Sequence, residues 1–434
     1  MLLKFTLAIT ILVGLHELGH MLPAKWFGMR VEKFFIGFPP RLFGFKYGET
    51  EYAFGATPLG GFVKISGMID ESLDTESLAK EPEHWEFRAK PAWQRLIVML
   101  GGITMNVILG IFIFTGLTVL QGEYFYKTSE VNINGIYAYE NGLKAGFLNG
   151  DKIINVNGKT SDNINDLISP ANLFEEGAYF TVERAGKELK ISIQPELLSS
   201  LNQNPKFIEP LITFEVESVE PKTPAFTAGL MAYDQITTVN RYPISSFQDF
   251  KIKLLENKGK QIQMGINRNG SPKELTVNVL PDGTIGFMPK LSLQQVHRDY
   301  SLAEALVEGP SRAFSVVILN VRAMGRMFTG DINPSESLTG PIGLVKAYGG
   351  GWDWVKFWGL TGMISMVLAF MNLLPIPGLD GGHVVFLMYE MVRGKAPSDK
   401  FLENTQKVGM VILLALMVFI FGNDIYKLIK DLLA

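Results

Sequence analysis

Residues 5–24 read FTLAITILVGLHELGHMLPA. A bilayer is crossed by about 20 predominantly apolar residues, which this stretch supplies, yet His16, Glu17 and His20 lie inside it. Such side chains are costly in an apolar span and are retained mainly for function. On a helix, positions i and i+4 share a face, so both imidazoles of His16-Glu-Leu-Gly-His20 can reach one Zn²⁺, with Glu17 beside them as a general base toward water. The same residues also read as a water-facing helix end without a metal. A cleaved signal peptide is a further alternative, because Lys4 precedes the apolar run Phe5–Leu15. Against it, the polar triplet ends the run, no A-x-A site follows, and amphiphilic sequence continues through Trp26 to Met29.

Three more stretches free of Asp, Glu, Lys and Arg lie at Leu96–Gly122, Phe357–Leu379 and Val408–Asn423. The first two are long enough to span, and the third can be extended at its polar ends by snorkelling. Composition agrees. Apolar residues make up 47% before 44 glycines are added, which brings the share to roughly 57% against the usual ~45–50%. Charged residues are only 19% and the net charge is −3, which excludes a disordered chain and gives no basic field for nucleic acid. Cysteine is absent and histidine occurs five times, so any metal must be held by His, Asp or Glu.

Four spans place both termini on one side. The interval 393–407 carries Arg393, Lys395, Lys400 and Lys407 against Asp399 and Glu403, which puts it in the cytoplasm and residues 123–350, with both termini, outside. Residues 26–92 are mixed in sign and fit the cytoplasmic side.

At the end of the third span stands Asn372-Leu-Leu-Pro-Ile-Pro-Gly-Leu-Asp380-Gly-Gly-His383. Catalytic zinc usually takes three protein ligands and a water. Asp380 follows two helix-breaking prolines and precedes two glycines that permit close backbone approach, which makes it the best third ligand, with His383 competing. Asn372 reads as a hydrogen-bonding group for a substrate backbone or as a polar residue packed between helices. Depth agrees between the motifs, since His16 and Asp380 both fall toward the cytoplasmic ends of their spans.

The large outer region contains a repeat. AGFLNGDKIINVNG at 145–158 aligns with AGLMAYDQITTVNR at 228–241, pairing Asp151 with Asp234 and Asn157 with Asn240, and Arg184-Ala-Gly186 matches Arg268-Asn-Gly270. A unit of this length with alternating strands is too long for a solenoid repeat and fits two tandem small domains. The pattern resembles the PDZ domains of bacterial proteases. The second copy has Tyr233 and Arg241 where the pattern has glycine, so it is expected to keep the fold with an altered turn. The resemblance implies peptide capture by strand addition in each groove. Residues 301–328 repeat apolar residues at helical spacing and read as an interfacial helix.

HExxH in the first span, N-x-x-P-x-P-x-L-D-G in the third and two PDZ-like domains between the second and third resemble, over essentially the whole chain, the site-2 protease family of intramembrane zinc metalloproteases. Gly37-Phe38 and Pro58-Leu-Gly-Gly-Phe-Val-Lys64 match that family's membrane-associated β segment, and Gly340-Pro-Ile342 a motif before the third span. In the second span Gly102-Ile-Thr-Met-Asn106 departs from the family's G-P-x-x-N at the proline. The resemblance implies one zinc held by His16, His20 and Asp380, activation of water by Glu17, and a place for Asn106 near the substrate. It implies a substrate of anti-sigma-factor type, already trimmed outside by another protease, or a signal-peptide remnant. A substrate helix hides its peptide bonds and must unwind to be cut, and the β segment Glu51–Lys64, with alternating residues and a Gly60-Gly61 bend followed by Phe62 and Val63, is expected to receive the freed backbone by strand addition.

The expected architecture is a polytopic α-helical membrane protein of the bacterial inner membrane with four transmembrane helices, a membrane-associated β segment and two tandem PDZ-like α+β domains. Its expected divisions are 1–122 (first two spans and β segment), 123–205 and 206–292 (PDZ domains), 293–350 (interfacial helical region) and 351–434 (last two spans). The PDZ domains and termini are expected to be periplasmic, with the site near the cytoplasmic side. Partners are the bilayer, a transmembrane substrate, and a peptide or protein at the PDZ grooves. A metal carrier would have no need of a base at Glu17, and a catalytically silent scaffold no need of the His16, His20 and Asp380 trio.

Overall fold

The structure, a computed structural model, describes residues 1–68, 81–204 and 206–433. Residue 205, where the first repeat was expected to end, lies outside them. The chain forms two compact units, Met1–Gly122 with Asp299–Met324 and Ser337–Ala434, and Glu123–Arg298 with Gly325–Glu336.

The first unit is built on α1 (Leu2–Trp26), the strands β1 (Val31–Tyr47) and β2 (Thr50–Ile65), α2 (Ala92–Gln121), α3 (Leu302–Phe328, in this unit to Met324), α4 (Pro341–Ala347), α5 (Trp354–Leu373), α6 (Asp380–Arg393) and α7 (Asp399–Leu433). Among the described residues four helices, in α1, α2, α5 and α7, are long and apolar enough to cross a membrane. The third span is shorter than its charge-free stretch, because Pro375 and Pro377 follow Leu373 and proline cannot continue the hydrogen-bond ladder. The fourth is longer, at 35 residues. Two charges that end the apolar run do not end the helix, because each finds a partner. Lys407 Nζ meets Glu403 one turn back at 2.6 Å, and the Asp424 carboxylate accepts from the main-chain N–H groups of Gly340 (3.1 Å), Ile342 (2.9 Å) and Gly343 (3.2 Å). Those donors belong to the first turn of α4 and its cap, where backbone N–H groups lack helical acceptors.

Small residues bring the spans together. A Cβ on Gly19 would collide with the carbonyl of Gly101, and one on Gly101 with the carbonyl of Gly19, so α1 and α2 cross backbone to backbone. α5 joins α2 through the Ser365 hydroxyl, which donates to the carbonyl of Asn106 at 2.8 Å. The buried residues of α3 are Ala305, Gly309 and Ala313, a stripe at i, i+4, i+8, while Leu306, Val307, Phe314 and Ile318 remain exposed.

β1 and β2 pair with a doubled register. Lys33–Ile36 lies opposite Gly61–Lys64 and also opposite Glu51–Phe54, while Phe43–Tyr47 lies opposite Thr50–Phe54. The first half of β1 is therefore central, and among the described residues the Gly61–Ile65 end of β2 has no further strand beside it.

The second unit carries the repeat. Lys152–Val156, Tyr179–Arg184 and Lys187–Ser192 form one antiparallel sheet, and Gln235–Val239, Gln261–Arg268 and Ser271–Asn278 form its counterpart, with Tyr242–Pro243 added at the edge. Each repeat has its own core, around Phe147 and Phe180 in the first and Phe250 and Met264 in the second. The matched residues do matched work. Arg184 donates to both oxygens of buried Asp151 (2.6 Å each) and to the Gly146 carbonyl (2.7 Å), and Arg268 does the same to buried Asp234 (2.7 Å each) and Gly229 (2.7 Å). The expected alteration of the second turn is not found. Tyr233 (φ 66°) and Arg241 (φ 67°) keep the left-handed backbone of Gly150 (φ 91°) and Gly158 (φ 75°). A non-glycine residue there costs about 1–2 kcal/mol, so the surrounding sheet imposes the turn.

Candidate active site

Helix α1 presents His16 and His20 on one face, against α2. Room for two imidazoles exists because position 102 is glycine: an added Cβ would sit 2.6 Å from His16 Cε1 and 2.8 Å from His20 Cε1, and closer still to His20 Nε2. Asp380 arrives from the opposite end of the chain as the first residue of α6. The turn before it is tightly folded. Gly378 adopts φ 93°, and a Cβ on Gly382 would lie 2.6 Å from the Ile376 carbonyl. Gly409 on α7 leaves no space for a side chain against the Pro377 carbonyl. Arg95, near the start of α2, pairs with Glu390 on α6 and ties that helix to the second span.

Three ligand atoms converge. His16 Nε2 and His20 Nε2 are 3.2 Å apart, and Asp380 Oδ2 lies 3.3 Å from the first and 3.4 Å from the second. A tetrahedral zinc with ligands at about 2.0–2.1 Å has ligand-to-ligand edges of about 3.3–3.4 Å, the size of this triangle. Hydrogen bonding does not account for it, since buried Asp380 Oδ2 has no hydrogen-bond partner although two ring nitrogens stand near it. An orphaned buried oxygen is expensive unless something else occupies the point it faces. Among the described residues this is the one cluster of three or more His, Asp or Glu side chains arranged to hold a metal ion. The donors, two imidazoles and a carboxylate without thiolate, suit a catalytic zinc with an open position.

Both imidazoles are held from behind. His20 Nδ1 donates to the Val98 carbonyl at 2.8 Å, and the side-chain amide of Asn106 lies 3.2 Å from His16 Nδ1. Asn372, on the last turn of α5, points its amide at His16 Nε2 from 3.4 Å.

A cavity of about 460 Å³ opens on the triangle, lined by His16, Glu17, His20, Asn372, Asp380, His383 and the β2 segment Gly61–Ile65. Glu17 is part-buried on the cavity wall, and its carboxylate faces the main-chain N–H of Val63. Gly61 is packed so closely that a Cβ would meet the Phe35 carbonyl and Val13 Cγ1, both at 2.6 Å, which lets β2 run directly along α1.

Of the residues singled out from sequence, His16, Glu17, His20, Asp380, Asn372, Gly61, Phe62 and Val63 thus border one cavity. Gly60 lies outside that lining and packs on the Phe38 ring, and Asn106 is 1% exposed behind His16. His383 borders the cavity but is not a corner of the triangle, and its Nε2 lies 3.5 Å from the Gln406 amide. Sequence reasoning missed Gly102 and the Val98 carbonyl. The Gly101-Gly102 pair inside an apolar span was the available signal for the first; a main-chain acceptor leaves none.

A family model described as peptidase family M50 matches residues 4–416. The chain is 30% identical to the regulator of sigma-E protease RseP of Escherichia coli K12, with 98% of each chain covered. It is 30% identical to the regulator of sigma E protease of Haemophilus influenzae, again over 98% of each, and 29% identical to a Neisseria meningitidis protein named as a zinc metalloprotease, over 99% of each.

Proposed function

The chain belongs to peptidase family M50, and from the premise that it is a site-2 type metalloprotease we propose that it cuts within the membrane. Its substrate is the transmembrane segment of a single-span protein of anti-sigma-factor type, pre-trimmed outside, or a signal-peptide remnant, in an envelope stress response of the bacterial inner membrane. The names of the sigma-E regulators it resembles support the pathway. The observation that carries the chemistry is the 3.2, 3.3 and 3.4 Å triangle of His16, His20 and Asp380 with Glu17 in the same cavity.

His16, His20 and Asp380 hold one zinc. When bound, zinc supplies Lewis acidity toward a peptide carbonyl and brings the pKa of water down to about 7. Glu17 takes the proton of the attacking water and returns it to the leaving nitrogen. Asn372 hydrogen-bonds the substrate backbone next to His16. A helical substrate hides its peptide groups in its own hydrogen bonds and must unwind to be cut. The Gly61–Val63 stretch of β2, paired with β1 on one side and with no second strand beside it among the described residues, takes up the freed backbone by strand addition. Residues 123–205 and 206–292 act as PDZ domains on the periplasmic side, where they refuse substrates with bulky outer domains.

The test is reconstituted cleavage of a trimmed anti-sigma-factor segment in lipid. Glu17→Gln is expected to keep one zinc per chain and to lose cleavage, and Asp380→Ala to lose the zinc. Zinc at full occupancy in Asp380→Ala would refute the ligand set.

A further inference from the structure

The two histidines of the HELGH motif are oriented by different means. His20 donates from Nδ1 to a main-chain carbonyl, that of Val98, at 2.8 Å. This fixes its tautomer, leaving the Nε2 lone pair for a metal. No substitution on α2 can remove a carbonyl. His16 faces a side chain instead: its Nδ1 lies 3.2 Å from the Asn106 amide, which is 1% exposed on α2.

The orientation of that amide follows from chemistry. If Asn106 donated from Nδ2 to an unprotonated Nδ1, the proton of neutral His16 would sit on Nε2, the atom that forms a corner of the triangle. His16 could not then be a ligand. With the amide turned, Oδ1 accepts from Nδ1–H and Nε2 is free to bind. The other amide atom gives no reason to prefer the first arrangement, since Asn106 Oδ1 is buried without a partner when Nδ2 faces the ring. The main chain of Asn106 is pinned as well, its carbonyl accepting from the Ser365 hydroxyl of α5 at 2.8 Å, so the amide is held against the ring by two spans.

We propose that Asn106 is a positioning residue that locks His16 in its metal-binding tautomer by accepting from Nδ1–H, rather than a substrate contact. The proposal rests on His16 being a zinc ligand. Its signature is that an acceptor is required, not an amide.

The experiment measures apparent zinc affinity of the purified full-length protein by competition with a chromophoric chelator. Asn106→Leu, close in volume but without an acceptor, is expected to weaken zinc binding by about 10–100-fold, the usual effect of removing a ligand's hydrogen-bond partner. Asn106→Asp is expected to remain within a few fold of the parent. A packing role predicts the reverse order, because a carboxylate in an apolar span is costlier than a leucine. Asn106→Ala provides the same comparison should the leucine variant fail to fold. Parent-like affinity in Asn106→Leu or Asn106→Ala, or an Asn106→Asp protein as weak as either, would overturn the proposal. Failure of the ligand reading looks different: His16→Ala would then bind zinc as tightly as the parent.

Discussion

Adding one methyl group at position 102 should disarm the protein without touching a charge, a ligand or the base. The Cβ of Gly102→Ala would lie 2.6 Å from His16 Cε1 and 2.8 Å from His20 Cε1, and closer to His20 Nε2. Ordinary contact begins near 3.4 Å, so the His16 ring must retreat by about 0.8 Å and His20 by more. That retreat from α2 would stretch the contacts that Val98 and Asn106 of the same helix make to the Nδ1 atoms of the two rings. Zinc sites tolerate ligand displacements of about 0.2 Å. A shift several times larger, comparable with misplacements that cost about 10²-fold in active sites, should lower zinc affinity by at least ~100-fold, or ~2.7 kcal/mol. Gly116→Ala is the control. It lies on the same helix, and a Cβ there meets nothing within 4 Å, so it should bind zinc and cleave like the parent. The assay is zinc content after dialysis against graded chelator, followed by cleavage of a reconstituted substrate. Gly102→Ala with parental zinc affinity would refute the placement of the two rings against α2.

The Gly61–Val63 stretch offers a second test: Val63→Pro should depress cleavage more than Val63→Ala at equal zinc content, because it removes the main-chain N–H that faces the Glu17 carboxylate as well as any donation to a substrate strand, whereas equal effects would show that the main chain at Val63 serves neither. In the second repeat, Arg268→Ala strands the buried Asp234 carboxylate and should cost about 3–5 kcal/mol in the thermal unfolding of that repeat, with catalysis measured separately. Burial alone would push the Asp234 carboxyl up, but the Arg268 guanidinium and the Met231 N–H outweigh it and hold it below its usual range. Its contribution is therefore present above the ordinary carboxylate range near ~3.9 and is lost as pH falls through the lowered folded value; Arg268→Ala should raise the pH midpoint of acid unfolding. Topology is testable because the chain has no cysteine. Ser398→Cys should react only with reagents that enter the cytoplasm and Ser161→Cys with an impermeant reagent outside; the opposite pattern would invert the orientation.

Local spacing and local energetic cost are legible in the sequence. His16, Glu17 and His20 stand out because polar side chains in an apolar run demand a reason, and the four-residue step between the histidines fixes a shared helical face. Asp380 stands out through the prolines and glycines around it, and the repeat through matched Asp, Asn and Arg positions. Helix limits were less legible. The charges at Lys407 and Asp424 look like boundaries in sequence but are neutralised by Glu403 and by three backbone donors near α4. Long-range packing is what makes Asp380 and not His383 the third corner of the triangle, gives both rings room at Gly102, and turns Asn106 toward His16 instead of the cavity. It also decided that the second turn keeps its left-handed backbone despite Tyr233 and Arg241. The reason is physical. Asn372 and His16 are 356 residues apart in the chain, and no local periodicity encodes which atoms meet once three helices pack through their glycines.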